Sequence, residues 1–160
     1  MGQAAVAGDL KQFYPSISLD ESQWNLQRCL WRENLDPEGE TLEVVIKTLI
    51  YGVRSVSAQT ECAMVKLADH IRSDHPALAN FLIKGRYVDD LADSMKYMDQ
   101  LKTIIQSADA LFASVGLRCK GWSFSGEEPH PDTSDDGESV DVAGMIWSTK
   151  VDTMQVKNDR

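Results

Sequence analysis

In two segments of the chain, apolar residues recur at the spacing that places them along one face of a helix. In residues 97–115 these side chains recur at spacings of three and four, and Gly116 is a typical residue just beyond a helix C-terminus. An earlier helix is predicted with Ser57 as its N-cap, and Pro76 breaks it and can begin a short further helix. The apolar stripe of this earlier helix comprises Ala58, Cys62, Val65, Ala68 and Ile71. The pattern therefore predicts two main helices.

Short runs of apolar and β-branched residues around these helices predict strands. The adjacent aspartates Asp89 and Asp90 predict the turn of a hairpin, because aspartate is a typical turn residue. The predicted strands span residues 5–10, 26–31, 42–51, 81–83, 117–124 and 140–147. Strands and helices mixed in this order predict an α+β fold with two main helices on one face of a sheet.

Composition limits the class of protein. A length of 160 residues fits one domain, and an apolar fraction of 42% suffices for a core. No apolar run reaches the length of a membrane helix, and no basic segment precedes an apolar one as in a signal peptide. Cys29, Cys62 and Cys119 lie far apart, which is typical of reduced thiols, and no zinc pattern is present. We therefore expect an intracellular protein, cytoplasmic or nuclear, that has no membrane partner.

The net charge of −9 is unevenly distributed. Residues 127–141 hold seven carboxylates without a lysine or arginine, together with prolines and a glycine, which predicts a flexible, self-repelling loop with few core contacts. Acidity also argues against strong nucleic-acid binding by this chain alone, since such binding neutralises phosphates with basic residues. The predicted division is a core at 1–125 that holds the metal-binding carboxylates, an acidic loop at 126–141, and a final strand and tail at 142–160.

Candidate chemistry centres on three aspartates. Asp9 lies near the end of the first predicted strand, and Asp89 and Asp90 lie at the predicted hairpin turn. Carboxylates at a sheet edge provide the oxygen ligands that Mg²⁺ prefers, so the three side chains can share one two-metal site. The alternative for the adjacent pair is an ordinary solvated turn.

The order of six local patterns resembles the palm of reverse transcriptases, most closely that of Bel/Pao-type LTR retroelements. The first is an aspartate followed by an aromatic residue and then an apolar one, and the fourth is the YxDD box. In chain order the patterns are residues 9–17, Leu30-Trp31-Arg32, Tyr51-Gly52-Val53-Arg54-Ser55, Tyr87-Val88-Asp89-Asp90, Gly116 to Trp122, and Val142-Ala143-Gly144-Met145-Ile146-Trp147. The resemblance implies a palm with an antiparallel sheet.

The resemblance also implies RNA-directed DNA polymerisation by a retroelement enzyme. A primer hydroxyl would attack a deoxynucleoside triphosphate, assisted by two Mg²⁺ or Mn²⁺ ions roughly 3.5–4 Å apart. Asp9 and Asp89 would bridge both ions, Asp90 would be the weaker ligand, and the Leu10 carbonyl would contact the ion on the nucleotide side. The partners would be an RNA or DNA primer–template and the triphosphate.

Further residues match positions around the family's substrate. Tyr14, Gly52 and Gln59 would bind the nucleotide, with the Tyr14 ring excluding a 2′-hydroxyl. The alternatives are ordinary packing for Tyr14, turn geometry for Gly52 and a solvated side chain for Gln59.

Residues on the primer side follow from the same resemblance. Tyr87, Val88 and Lys120 would lie there, although a strand aromatic is often a core residue and a single lysine is often solvated. The tryptophans are predicted to anchor the core; they are Trp31, Trp122 and Trp147.

Departures from the family pattern leave two hypotheses. No proline follows Ser55, and the family's fingers, thumb and RNase H regions have no counterpart in these residues, so we expect residues 1–160 alone to show little primer extension. The chain is then either the palm of a longer polymerase or a domesticated palm that binds a protein partner without catalysis. The three aspartates favour the first, and the acidic charge favours the second.

Overall fold

The computed structural model describes residues 4–157, which form antiparallel sheets and three α-helices, and this confirms the α+β class. The helices are α1 (Val56–Ile71), α2 (Pro76–Lys84) and α3 (Met98–Ser114). The strands are β1 (Ala4–Leu10), β2 (Arg28–Arg32), β3 (Thr41–Val45), β4 (Arg86–Tyr87), β5 (Asp90–Met95), β6 (Cys119–Phe124), β7 (Val140–Val142), β8 (Met145–Ser148) and β9 (Thr153–Val156).

The central sheet has the strand order β4-β5-β1-β6, so β1 lies in its interior. Alternation along β1 separates the two faces of the sheet. Val6 and Leu10 enter the main core together with all three helices, whereas Ala5 and Ala7 face the opposite side. Asp9 follows the alternation of Ala5 and Ala7, so it lies on the face away from the helices.

The N-cap of helix α1 lies two residues earlier than predicted. Ser55 is the N-cap residue, and Ser57 lies within the first turn. The buried stripe is therefore Val56, Thr60, Met64, Ala68 and Ile71, and the prediction was right only for the last two of these. Ala58 and Cys62 are exposed.

The run at 81–83 is helical, so its prediction as a strand was wrong. It lies in α2, which has Pro76 in its first turn and buries Leu78, Ala79, Phe81 and Leu82. Short apolar runs do not distinguish a buried helix from a buried strand. The short further helix predicted to begin at Pro76 is confirmed, and it extends through this run. The predicted hairpin at the aspartate pair is confirmed as β4 and β5.

Residues 140–147 form a hairpin rather than a single strand. Val142 pairs with Met145 across a two-residue turn, and β9 completes a three-stranded sheet. Val140, Val142 and Trp147 pack against Ala7 of β1, so this sheet covers part of the face that carries Asp9.

The hairpin of β2 and β3 projects large apolar side chains into solvent. The predicted strand at 26–31 begins later, at Arg28, and the strand predicted at 42–51 ends at Val45. Trp31 is 56% exposed, so its prediction as a core anchor was wrong, whereas Trp147 is buried.

The acidic segment is attached to the sheet, contrary to the expectation of few core contacts. Pro129 is buried, and the backbone N–H of His130 donates to Ser123 Oγ at 2.8 Å. Glu127 forms an ion pair with Lys102 at 2.6 Å. The boundaries at 126 and 141 stay a prediction. None of the helices within residues 4–157 combines the length and apolarity needed to cross a bilayer.

Candidate active site

Antiparallel pairing brings aspartates from distant parts of the chain to one place. Asp9 of β1 is the direct cross-strand partner of Asp90 at the start of β5. Directly opposite residues of an antiparallel pair project to the same face, so both side chains lie on the face away from the helices. Asp89 occupies the turn immediately before Asp90. The sheet therefore places three carboxylates together at the end of its central strand.

The turn between β4 and β5 consists of Val88 and Asp89, and its backbone is unusual. Val88 has a φ of 58°, in the left-handed region that β-branched residues rarely adopt. Its side chain packs against the apolar cluster of Tyr14, Leu49 and Val56. The carbonyl of Asp89 accepts a hydrogen bond of 2.9 Å from the Leu10 N–H. Contacts on two sides therefore hold this turn in a conformation that its sequence does not favour.

Lys120 reaches the site from β6. Its Nζ atom lies 2.8 Å from Asp9 Oδ2, in an ion pair between residues 111 positions apart. The hydrogen bond to Asp9 raises the pKa of Lys120 above its ordinary value. The other carboxylate oxygen, Asp9 Oδ1, is buried and has no hydrogen-bond partner within residues 4–157. Asp9 thus carries one neutralised oxygen and one that lacks a donor.

Asp90 is held by the turn of the β7–β8 hairpin. Asp90 Oδ2 accepts a hydrogen bond of 2.8 Å from the backbone N–H of Ala143, which has a φ of 49°. Burial raises the pKa of Asp90, and the nearby charges of Asp89 and Asp9 raise it further. The Ala143 N–H and the Lys120 ammonium act in the opposite direction. The charges of all four ionisable groups are therefore close enough to influence one another.

The chemistry of these residues fits a divalent cation. Three carboxylates offer the hard oxygen atoms that Mg²⁺ and Mn²⁺ prefer, and the buried Asp9 Oδ1 lacks the positive partner that a cation would supply. Across residues 4–157, however, no group of three or more His, Cys, Asp and Glu side chains is arranged to hold a metal ion as it stands. Lys120 and Ala143 are the present partners of these carboxylates, and cation binding would compete with them.

The predicted nucleotide-binding residues lie in ordinary structural positions. Tyr14 is buried, and its ring contacts Tyr51 edge-on with centroids 4.5 Å apart. Gly52 has a φ of 86° in a turn, which requires glycine for conformational reasons alone. Gln59 is half-buried in the first turn of α1. Tyr14 reaches the aspartates through Val88, with which it shares an apolar cluster.

Two of the predicted primer-side residues flank the aspartates directly. Tyr87 is 66% exposed, so the alternative of a core aromatic is wrong. Val88 is half-buried and is the first residue of the turn itself.

Sequence reasoning missed two residues that contact the aspartate turn or the aspartates. Ala143 donates to Asp90, and Arg86 donates to the Val88 carbonyl. The signal for Ala143 was the Ala143-Gly144 pair between two apolar runs, which is compatible with a two-residue hairpin turn. Arg86 carries no such signal, because a single arginine in sequence is typically exposed.

No protein-family model matches the chain, and no curated protein shows significant similarity to it. Its function is therefore inferred from the residues of the site and from the order of its motifs.

Proposed function

We propose that the chain is the palm of a retroelement RNA-directed DNA polymerase and carries a two-metal site for nucleotidyl transfer. The observation that carries the proposal is the cross-strand pairing of Asp9 with Asp90, beside Asp89 on the adjoining turn. The order of the motifs along the chain supports it. A solvated turn alone would not account for a third aspartate with a buried, unpartnered oxygen at the same place.

Each site residue has a distinct part in this proposal. Asp9 and Asp89 would hold both ions, with Asp90 as the weaker ligand. When bound, the ions would stabilise the attacking and leaving oxygens of phosphoryl transfer. Lys120 would neutralise Asp9 whenever no cation is present, which limits repulsion among the three carboxylates. The core contacts of Val88 would keep the turn, and hence Asp89 and Asp90, in a fixed orientation.

Cation binding tests this proposal directly. Calorimetric titration with Mn²⁺ should show saturable binding to the wild type. The Asp9→Asn and Asp89→Asn variants should bind Mn²⁺ at least tenfold more weakly. Asp135→Asn is the matched control, since it also removes one carboxylate but from an exposed position outside the site. Equal binding by all four proteins, or no saturable binding at all, would contradict the two-metal site.

A second function, a non-catalytic protein-interaction module, is favoured by the β2–β3 hairpin. Trp31 and Leu42 are cross-strand partners and therefore share one face, on which they are 56% and 46% exposed. Leu35 in the connecting segment is 84% exposed. Clustered exposed apolar side chains are typical of interaction surfaces. The acidic residues around Leu35, at positions 33, 36, 38 and 40, would favour a partner with a basic rim.

The two functions predict different sensitive residues. A partner recovered from source cells should be retained by Asp89→Asn and lost by the double variant Trp31→Ser/Leu42→Ser if the hairpin is the interaction surface. Mn²⁺ affinity should respond in the opposite way, falling in Asp89→Asn and staying constant in the hairpin variant. Retention of the partner by the hairpin variant would exclude this surface.

A further inference from the structure

Arg86 is a buried arginine next to the aspartate turn. Its side chain is only 4% exposed, and it lies on β4 two residues before Val88. Nη1 donates a hydrogen bond of 2.9 Å to the Val88 carbonyl, and Nη2 forms an ion pair with Glu61 Oε2 of α1. Nε is buried without a hydrogen-bond partner in the described part of the chain. The guanidinium thus links the turn to a helix.

Stability alone gives no reason to bury this charge. Removing a guanidinium from water is costly, and its ionic partner Glu61 is 57% exposed, where the gain from a salt bridge is small. An apolar side chain of similar size would often serve equally well as a structural residue. What an apolar side chain cannot do is donate from one planar group in two fixed directions.

Arg86 is positioned to stabilise the unfavourable backbone conformation of the turn. The carbonyl that accepts from Nη1 belongs to Val88, the residue with left-handed backbone. In the same turn, the Asp89 carbonyl accepts a hydrogen bond from the Leu10 N–H. An unfavourable backbone conformation persists only where surrounding contacts determine it, and these two hydrogen bonds fix the carbonyls of both turn residues.

We propose that Arg86 is a positioning residue: it fixes the Val88–Asp89 turn against helix α1 and thereby orients Asp89 and Asp90. As far as cation binding is concerned, this inference rests on the proposed function. The Arg86 guanidinium fixes the orientation of the Val88 carbonyl, and this in turn fixes the orientation of the Asp89 and Asp90 carboxylates that follow in the chain. Residues that orient ligands in this way typically change metal affinity by 10–100-fold when replaced.

Mn²⁺ affinity measured by water proton relaxation tests the consequence for the site. Arg86→Gln and Arg86→Lys should each bind Mn²⁺ roughly tenfold more weakly than the wild type, because neither retains both donor directions. Glu61→Gln, which leaves the arginine in place, should show a smaller loss in the same direction. Arg72→Gln is the matched control, since Arg72 pairs with Asp69 on the exposed surface at the C-terminal end of α1. All proteins are compared well below their melting temperatures, so a purely structural role would leave the affinity unchanged.

Amide hydrogen exchange of the metal-free protein tests the turn itself. The Leu10 amide bonds to the Asp89 carbonyl, so its exchange should accelerate several-fold in the Arg86 variants while amides in the middle of α3 keep their rates. If the wild type binds no Mn²⁺ but Leu10 exchange accelerates, the proposed function fails and the positioning role stands. If exchange at Leu10 and Mn²⁺ affinity are both unchanged in the folded variants, Arg86 positions nothing. Should the Arg86 variants not fold, Glu61→Gln provides the same two readouts.

Discussion

At the scale of single residues, left-handed backbone at non-glycine positions marks the two turns that meet at the aspartates. Val88 and Ala143 have φ values of 58° and 49°. Packing and two hydrogen bonds to the turn offset the unfavourable backbone conformation of Val88. Ala143 is exposed, and its N–H donates a hydrogen bond to Asp90. Sequence alone could not indicate left-handed backbone at Val88, because propensity favours Gly, Asn or Asp at such positions, whereas at Ala143 the following Gly144 was a signal for the turn.

Ala143→Gly should stabilise the protein by about 0.5 kcal/mol. Left-handed backbone costs an alanine roughly 1–2 kcal/mol, and the extra freedom of glycine in the unfolded chain offsets only part of that gain. Ala58→Gly provides the matched control, since Ala58 is exposed but lies in α1, where glycine costs about 1 kcal/mol. Denaturant unfolding should show opposite signs for the two substitutions. The same sign for both would mean that strain at Ala143 is negligible.

Asp90→Asn should raise stability at neutral pH and weaken its pH dependence. Burial raises the pKa of Asp90 in the folded protein above its value in the unfolded chain. At a pH between these two pKa values, the folded protein therefore binds a proton at Asp90 that the unfolded chain has lost. Stability should therefore fall as pH rises through that window, and the penalty should persist at higher pH. Thermal melting of wild type and variant across acidic to neutral pH should show curves that diverge with rising pH. Parallel curves would contradict a raised pKa at Asp90.

At the scale of elements, prediction succeeded where a long periodic pattern of apolar residues was followed by a residue that typically ends an element. Helix α3 was predicted almost to its ends, because many apolar positions define one stripe and Gly116 follows it. The run at 81–83 failed because three apolar residues satisfy either period, and Pro76 at the start of α2 was the better guide. The hairpin within 140–147 was missed because its turn is only Ala143 and Gly144.

Gly8 provides a test of packing in β1. A Cβ atom at this position would lie 2.5 Å from Trp122 Cε3 and 2.9 Å from Cys119 Sγ, so a methyl group has no room. Gly8→Ala should destabilise the protein by about 1–3 kcal/mol, as overpacking typically does.

The double variant Gly8→Ala/Trp122→Leu identifies the cause of that loss. If contact with Trp122 is responsible, adding Ala at position 8 should cost clearly less in the Trp122→Leu background. Additive free energies of unfolding would show that the loss does not arise from Trp122 and has another source, such as the contact with Cys119 Sγ or the backbone of β1.

At the scale of the whole molecule, long-range contacts complete what the motifs outline. The three aspartates of the site were identified from sequence, and the structure shows that pairing of β1 with β5 brings Asp9 and Asp90 together. The ion pair of Asp9 with Lys120 and the bond from Ala143 to Asp90 join residues 111 and 53 positions apart, and no local pattern encodes such contacts. The fold class was therefore predictable, whereas the charge balance of the site was not.

The acidic segment contains carboxylates that are held by ion pairs or hydrogen bonds and others that face basic residues or solvent. Glu127, Glu128 and Asp141 form ion pairs, and Asp136 accepts hydrogen bonds from the backbone of Glu138 and Ser139. Those hydrogen bonds hold the pKa of Asp136 below its ordinary value. Asp132, in contrast, lines a cavity with the basic residues Lys11, Arg118 and Lys120. Charge can therefore be removed at selected positions without disturbing the fold.

Removing charge at Asp132, Asp135 and Glu138 should strengthen binding of a primer–template duplex. The triple variant Asp132→Asn/Asp135→Asn/Glu138→Gln leaves the ion pairs intact, and it removes one carboxylate from the cavity and two more from the same acidic segment. Phosphates then approach with less repulsion, so affinity at low salt should rise on the order of threefold and depend more steeply on salt. Fluorescence anisotropy at two salt concentrations measures both effects.

A second triple variant separates local charge from net charge. Glu33→Gln/Glu38→Gln/Glu40→Gln removes the same number of carboxylates from the segment that connects β2 and β3. If position matters, this variant should bind the duplex as weakly as the wild type does, because it leaves in place both Asp132, which lines the cavity, and the rest of the acidic segment. Equal gains in both variants would show that only net charge controls binding. No gain in either would mean that the acidic segment does not oppose nucleic acid, and the principal electrostatic argument against autonomous binding would fail.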